Sequence, residues 1–205
     1  MNSYLSDTEN AAIGLIDLIK KLNDELYGIY NKYQWLKERA TVLQEFSLGH
    51  QLEDDCMIRF TQAAKAREEA ESALPELIAY ENKAVFNETA LASICGALLQ
   101  VAKQGMSATH GQSKYCPIGR QIIGSQYLAT VVWQARNQSI HFEEGNDKLY
   151  KPVIACFAKL EKEIGPQFSL KTNRFKNMAW EIVKELQWTG YDIYRMDMES
   201  LLTKN

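Results

Sequence analysis

Apolar residues near the N-terminus recur in alternating steps of four and three, the spacing of a heptad seam along a helix. The members of this seam are Leu15, Ile19, Leu22, Leu26, Ile29, Tyr33, Leu36, Ala40 and Leu43. The run contains no proline and predicts one helix of about 38 residues, which would be roughly 57 Å long at ~1.5 Å per residue. Ser47-Leu48-Gly49 is expected to end it.

A second helix with the same rhythm is predicted from near Gln51, with Arg67 as a polar interruption of its seam. Pro75 should kink this helix, because proline lacks a backbone donor and clashes with the preceding turn. The short glycine-containing link predicts an antiparallel hairpin over residues 1–84. Such hairpins usually serve as scaffolds or dimerisation arms, and this one carries no candidate chemistry.

Residues 85–205 show the pattern of a helical bundle. Helices are predicted over 87–104, 118–142, 148–164 and 173–188. Asn87 is the expected N-cap of the first and Gly105 its end, followed by a polar loop over 106–117. The tail 191–205 either docks or frays. Long β-branched alternation is absent, so the sequence predicts an all-α fold with no sheet.

The composition narrows the class of protein. Hydrophobic residues make up 46% of the chain, enough for a packed core. No run reaches the ~18 uninterrupted apolar residues of a membrane span, and the N-terminus lacks the pattern of a signal peptide. We therefore expect a cytoplasmic protein with no membrane partner. The four cysteines are far apart in the chain and none forms a C-x-x-C pair, which predicts reduced, mostly buried thiols and neither metal nor cofactor.

Basic residues concentrate in the middle of the chain. Residues 1–88 hold 9 Lys/Arg against 16 Asp/Glu, whereas residues 89–176 hold 11 against 5. No acidic side chain lies between Thr89 and Phe142. This asymmetry suits a nucleic-acid substrate, or the two halves simply attract each other. Under the first interpretation, the candidate substrate-binding cations are Lys114, Arg120, Lys148 and Lys151.

A candidate catalytic pattern lies at the end of the predicted helix 118–142. Arg136, Asn137 and His141 stand in the order R-N-x-x-x-H. This pattern resembles the motif of the HEPN superfamily, small helical domains many of which are metal-independent endoribonucleases. The resemblance covers the motif and its helical surroundings, and it does not extend over the whole chain.

The resemblance implies RNA cleavage in which an internal 2′-hydroxyl attacks the neighbouring phosphate without a metal ion. A histidine suits proton transfer near neutrality, so His141 is the expected general base or acid. Arg136 would hold the charge that develops on the phosphoryl group. Asn137, one turn before His141, would hold the imidazole or a phosphate oxygen.

The spacing leaves several arrangements open. Positions 136 and 141 lie about 140° apart around an ideal helix at ~100° per residue. The two side chains converge if the arginine wraps round the helix, if the helix ends near His141, or if a second subunit completes the site. HEPN domains commonly meet as two copies, and we expect a homodimer. An arginine and a histidine at a helix C-terminus are also often surface or capping residues.

The resemblance implies a setting in toxin–antitoxin pairs, phage defence or RNA processing, with an antitoxin or another protein as a possible partner. Some such toxins carry a tyrosine two residues after the histidine, where this chain has Glu143. Glu143 and Glu144 would repel phosphate unless they turn away. The rival hypothesis is a non-catalytic helical protein that binds a nucleotide, a nucleic acid or a protein partner.

Overall fold

The computed structural model describes residues 3–48, 56–145 and 149–203. Within these ranges it contains six α-helices and one antiparallel β-ribbon, so the predicted all-α class is confirmed. The helices are α1 (Ser3–Leu48), α2 (Cys56–His110), α3 (Leu128–His141), α4 (Lys151–Glu163), α5 (Ala179–Glu185) and α6 (Tyr191–Leu201). The strands are β1 (Gln121–Ile123) and β2 (Gln126–Tyr127).

The chain forms two compact units. The bundle unit combines Met1–Leu22 with Thr89–Asn205, and the hairpin unit is Asn23–Glu88. Both α1 and α2 contribute residues to each unit. The division predicted from the sequence, 1–84 and 85–205, therefore differs from the observed one chiefly because the N-terminal part of α1 packs with the bundle.

The hairpin unit is the predicted antiparallel pair of helices. Tyr30 donates its hydroxyl hydrogen to the Glu88 carboxylate, and further along the pair Arg39 Nη2 lies 3.7 Å from Glu69 Oε2. The α1 seam is buried through leucine and isoleucine, whereas the buried face of α2 presents small residues such as Ala66 and Ala84. Large side chains on one helix thus pack over small ones on the other.

At Ala66 and Arg67, the buried face of α2 is shifted by one residue from the predicted seam. Ala66 is buried, whereas Arg67 is exposed and forms an ion pair with Glu71 at 2.9 Å. Leu74 lies one heptad after Arg67, so the same rhythm would place it on the seam, but it is 53% exposed. The predicted interruption of the seam at Arg67 is therefore wrong. Helix α2 also continues through Pro75, which is exposed.

Helix α2 is longer than the sequence suggested. Asn87 is not a cap, since it lies within the helix and its Nδ2 donates to the Lys83 carbonyl oxygen at 2.9 Å. Gly105 does not end the helix either. Helix α2 continues to His110, so the first residues of the predicted loop 106–117 are helical. A Cβ at Gly105 would lie 2.6 Å from Tyr4 Cε1. The glycine therefore allows the close approach of an aromatic ring from α1.

The core of the bundle unit is built from apolar faces of all six helices. Leu5, Ile16 and Ile19 of α1 are buried, as are Leu91 and Leu98 of α2. The later helices contribute further buried residues, namely Leu128, Val131, Val132, Ala135, Val153, Phe157, Leu160, Ile182, Tyr194, Met198 and Leu201. The burial of α6 shows that the C-terminal tail docks.

The β-ribbon corrects two predictions. Strand β1 pairs with β2 through the turn at Gly124, whose φ is +55°, so the expectation of no sheet is wrong. Helix α3 accordingly starts at Leu128 and not at 118, with Leu128 N donating to the Arg120 carbonyl oxygen at 2.9 Å. Strands of two and three residues are too short to show a period of two in the sequence.

Two helices begin later in the chain than the sequence predicted. Helix α4 begins at Lys151 with Tyr150 as its N-cap, and Pro152 fits the first turn. Helix α5 begins at Ala179, six residues after the predicted start at 173, and Met178 precedes it. The amide of Met178 is bonded to a side chain of α3, described below, and not to a helical turn.

Helix α2 also contains a stretch that is long and apolar enough to cross a membrane by length and composition alone. Its window of mean hydropathy 1.4 lies within Ala64–His110, and 39% of that window is buried. One such helix is weak evidence for a membrane span, because a mostly buried core helix of a soluble protein passes the same test of length and composition.

Candidate functional site at the C-terminal end of α3

The inner positions of the R-N-x-x-x-H pattern anchor α3 to the bundle. Gln138 is 1% exposed, and its side-chain amide bonds the segment before α5 through both ends. Its Nε2 donates to the Lys176 carbonyl oxygen at 2.8 Å, and its Oε1 accepts from Met178 N at 2.9 Å. These two bonds fix the rotation of α3, and Asn137 and His141 are left partly exposed.

His141 is the last residue of α3, and its ring is held from two sides. Its Nδ1 lies 2.6 Å from Glu144 Oε1. The Tyr150 ring meets the imidazole edge-on, with centroids 5.9 Å apart and planes at 81°. When Nδ1 carries the hydrogen that the carboxylate accepts, Nε2 of the neutral ring keeps its lone pair. Across the described ranges, Nε2 has no recorded hydrogen-bond partner.

A tight turn brings Glu144 back to the histidine. Residues Phe142–Glu144 form one turn of 3₁₀-helix that closes at Gly145, whose φ is +78°. A Cβ at position 145 would stand 3.2 Å from Phe175 Cε1. Glycine thus permits both the left-handed backbone and the nearby ring. The turn sets the carboxylate three residues after the imidazole.

Arg136 points to α2. Its Nε donates to Gln100 Oε1, and its Nη1 donates to Asn137 Oδ1 at 3.3 Å. Lys103 is a second basic residue here. Burial lowers the pKa of its ammonium group, and the charge of the nearby Arg136 lowers that pKa further. The Lys103 ammonium stands 4.7 Å from the centroid of the Trp133 ring. This part of the surface therefore combines two cations with an indole.

The structure changes the expected relation among the three motif residues. Asn137 accepts a hydrogen bond from Arg136. Of its two predicted roles, the contact with the imidazole is absent from the described interactions, and the contact with a phosphate oxygen stays a prediction. The described interactions include no direct contact between Arg136 and His141. The helix does end at His141, whose ψ is 10°, as the second of the three predicted arrangements required. This helix end alone does not bring the two side chains into contact.

Arg120 has a structural partner. Its Nε and Nη2 donate to the two carboxylate oxygens of Asp197 at 2.7 and 2.9 Å, and Nη2 also donates to the Leu186 carbonyl oxygen at 2.8 Å. Trp188 Nε1 donates to Asp197 Oδ2 at 2.8 Å. The guanidinium thus ties the β-ribbon to α6. This geometry does not support the prediction that Arg120 binds substrate.

The other predicted substrate-binding lysines are not assembled into one site. Lys114 is exposed and lies 4.7 Å from the centroid of the neighbouring Tyr115 ring. Lys151 is exposed at the start of α4, directly after the Tyr150 that contacts His141. Lys148 lies outside the described residues. Of the two described lysines, Lys151 is the one that directly follows a residue in contact with the imidazole.

The imidazole, its carboxylate and the arginine define the candidate site. No family model, curated protein or solved structure matches this chain. The site is interpreted from its own chemistry.

Sequence reasoning missed several residues of this site. Glu144 follows His141 by three positions, a spacing that could have suggested the pair. Gln100, Lys103 and Tyr150 come from other helices or loops, and no local pattern connects them to α3. Among the described residues, no group of three or more His, Cys, Asp or Glu side chains is close enough to hold a metal ion.

Proposed function

We propose that this protein is a metal-independent endoribonuclease of HEPN type. The observation that carries the proposal is the partly exposed imidazole of His141, oriented through Nδ1 by the Glu144 carboxylate at 2.6 Å. A carboxylate in this position fixes the ring and stabilises the imidazolium that forms when Nε2 accepts a proton. A histidine held in this way is suited to act as a general base.

In the proposed reaction, His141 Nε2 removes the proton of an internal 2′-hydroxyl. The 2′-oxygen attacks the adjacent phosphorus, and the bond from phosphorus to the 5′-oxygen of the next nucleotide breaks. That oxygen takes a proton from water and leaves as a 5′-hydroxyl, and the imidazolium returns its proton to the resulting hydroxide. The upstream product carries a 2′,3′-cyclic phosphate. Proton transfer of this kind typically contributes about 10²–10⁴ in rate.

Arg136 and Lys103 supply positive charge beside α3. A guanidinium has five N–H donors, and the described bonds to Gln100 and Asn137 use two of Arg136's. The remaining donors suit phosphate oxygens. The absence of acidic residues between Thr89 and Phe142 keeps this part of the chain attractive to a polyanion.

A homodimer is part of the proposal. Arg136 makes its described contacts with α2 and Asn137, and His141 makes its contacts with Glu144 and Tyr150. In a two-fold assembly, the arginine of one copy and the histidine of the other could act on the same phosphate. A toxin or phage-defence role in the cytoplasm belongs to the same proposal.

The test incubates purified protein with single-stranded RNA in the presence and absence of a chelator. We expect cleavage in both conditions, with 2′,3′-cyclic phosphate and 5′-hydroxyl ends. A DNA oligonucleotide of the same sequence is the matched control, since it lacks the attacking hydroxyl. Cleavage that disappears with chelator and returns with magnesium would contradict the mechanism, and so would cleavage of the DNA.

A non-catalytic partner-binding role is the second candidate, favoured by the surface of the hairpin unit. Tyr27 is 69% exposed, Trp35 is 49% exposed and Phe86 is 73% exposed. Large exposed aromatics are enriched in protein interfaces. If purified protein leaves RNA intact, this function becomes the better explanation of the hairpin.

A further inference from the structure

A small cleft with polar and apolar walls lies between α3, α4 and the β-ribbon. Its volume is about 170 Å³, below the ~300–1,000 Å³ typical of pockets for drug-sized ligands. A space of this size suits one ring system. Thr130 and Gln134 of α3 form one wall, and Pro152, Ala155 and Cys156 of α4 form the other.

One side chain of the cleft has an unsatisfied hydrogen-bonding atom. Gln126 is 3% exposed, and its Oε1 has no hydrogen-bond partner within the described part of the chain. Its Nε2 makes only a long bond of 3.4 Å, to Ser125 Oγ. A buried polar atom without a partner is costly. A ligand with an N–H donor in the cleft would satisfy it after a small rotation of the amide.

Helix geometry connects this cleft to His141. Thr130, Gln134, Asn137 and His141 are spaced by four, three and four residues, so they share one face of α3. Gln134 and His141 are separated by about 10 Å along the axis, at ~1.5 Å per residue. On the other side, Tyr150 contacts His141 and directly precedes α4. The cleft and the imidazole therefore lie along one groove between α3 and α4.

Charged groups lie at the end of the cleft away from His141. The Glu163 carboxylate accepts hydrogen bonds from Ser125 N at 2.9 Å and from Ser125 Oγ at 2.7 Å. These bonds, more than any other cause, lower the pKa of Glu163. Lys159 lines the cleft and is exposed.

We propose that this cleft binds one nucleobase of a single-stranded RNA whose scissile phosphate lies at His141. The inference rests on the proposed function. Amide side chains are suited to the edges of bases, and an exocyclic amino group supplies the donor that Gln126 Oε1 lacks. Lys159 at the rim attracts the adjoining phosphate. Adenine, with its amino group, is preferred over uracil.

The test measures binding apart from cleavage, in the His141→Ala protein with fluorescein-labelled oligoadenylate and oligouridylate. We expect oligoadenylate to bind more tightly. Gln126→Leu and Lys159→Ala should each weaken oligoadenylate binding by about tenfold, the size of one good base or phosphate contact. The charge-matched control, Lys171→Ala, changes an exposed lysine that does not line the cleft and should bind as before.

Gln126→Leu removes an amide that is unsatisfied in the unliganded protein, so its thermal unfolding should show that it stays folded. If it unfolds, Lys159→Ala carries the test alone. Unchanged oligoadenylate affinity in the cleft variants would overturn the inference, as would equal affinity for both oligonucleotides. Adenosine monophosphate binding as tightly as oligoadenylate would assign the cleft to a free nucleotide and also overturn it.

The two proposals fail separately. Base-dependent binding that the cleft variants weaken, in a wild-type protein that cuts no RNA, would support the base site and reject the ribonuclease. Metal-independent cleavage with unchanged binding in the cleft variants would support the ribonuclease and reject the base site.

Discussion

His141 Nδ1 lies 2.6 Å from Glu144 Oε1, so the turn that follows α3 holds the last residue of that helix. Both side chains are partly exposed. The contact is therefore worth little to stability, and its value lies in setting the direction of the imidazole. A group of this kind is expected to matter for catalysis more than for folding.

Glu144→Gln should reduce kcat by about tenfold to a hundredfold with little change in KM, because a positioned proton-transfer group contributes about 10²–10⁴ in total. Glu143→Gln is the matched control, since it changes an exposed neighbouring carboxylate that makes no described contact with His141. Steady-state cleavage of a fluorogenic RNA provides both constants. Equal kcat for the two variants would remove Glu144 from the mechanism.

His141→Ala and Arg136→Ala should each remove most RNA cleavage, by about 10²–10⁴, while the protein remains folded. Asn137→Ala should have a milder effect, because its described contact is to Arg136. Initial rates measure the loss of RNA cleavage, and circular dichroism checks that each variant stays folded. Wild-type cleavage by His141→Ala would mean that the site lies elsewhere.

His110→Ala is the histidine control. Its Nε2 lies 2.8 Å from the Leu201 carbonyl oxygen, so we expect a loss of about 1 kcal/mol in stability from one hydrogen bond and unchanged cleavage.

Arg120→Ala should lower the free energy of unfolding by about 2–3 kcal/mol. This is less than the ~3–5 kcal/mol for breaking a fully buried ion pair, because the arginine is partly exposed. Asp197, its partner, is 4% exposed and would lose two of its donors. Arg195→Ala, an exposed arginine on the same helix, should cost less than ~0.5 kcal/mol. Urea unfolding measures the free energy of unfolding of both variants. A stable Arg120→Ala protein with weakened RNA affinity would restore the predicted substrate role.

Stability should fall as the pH rises above about 9, because three cysteine thiols are buried. Burial raises the pKa of Cys116 to about 11 and that of Cys156 to about 12, from 9.0, and it also raises the pKa of Cys95. Above pH 9.0 the unfolded thiols release protons that the folded protein retains, so unfolding is favoured. Urea midpoints across this range measure the slope, and Cys156→Ala should make it shallower. A flat profile would contradict the burial of these thiols.

Light scattering at micromolar concentration should give the mass of a homodimer. Leu26, Ile29 and Leu36 of the α1 seam are buried within the hairpin unit. The prediction therefore rests on the separate contacts of Arg136 and His141 and on exposed aromatics such as Tyr27 and Phe86. Tyr27→Ser with Phe86→Ser should shift the mass toward the monomer, whereas Lys37→Ser on the same helix α1 should not. A monomeric wild-type protein would reject both the dimer and the shared site.

Local sequence patterns determined the helical class, the hairpin and the position of the candidate histidine at a helix end. The heptad spacing of leucine and isoleucine in α1 needs only neighbouring residues, since helix periodicity decides which of them share a face. For the same reason, the placement of Arg136, Asn137 and His141 late in α3 could be predicted.

The tertiary structure alone decided which side chains meet. Ala66 and not Arg67 faces the partner helix. The sequence did not predict this, because alanine gives a weak hydrophobic signal and its burial depends on the helix packed against it. Arg120 meets Asp197, 77 positions away in the chain, and Arg136 meets Gln100, 36 positions away. Such contacts depend on how distant segments pack, and no pattern within a few residues contains that information.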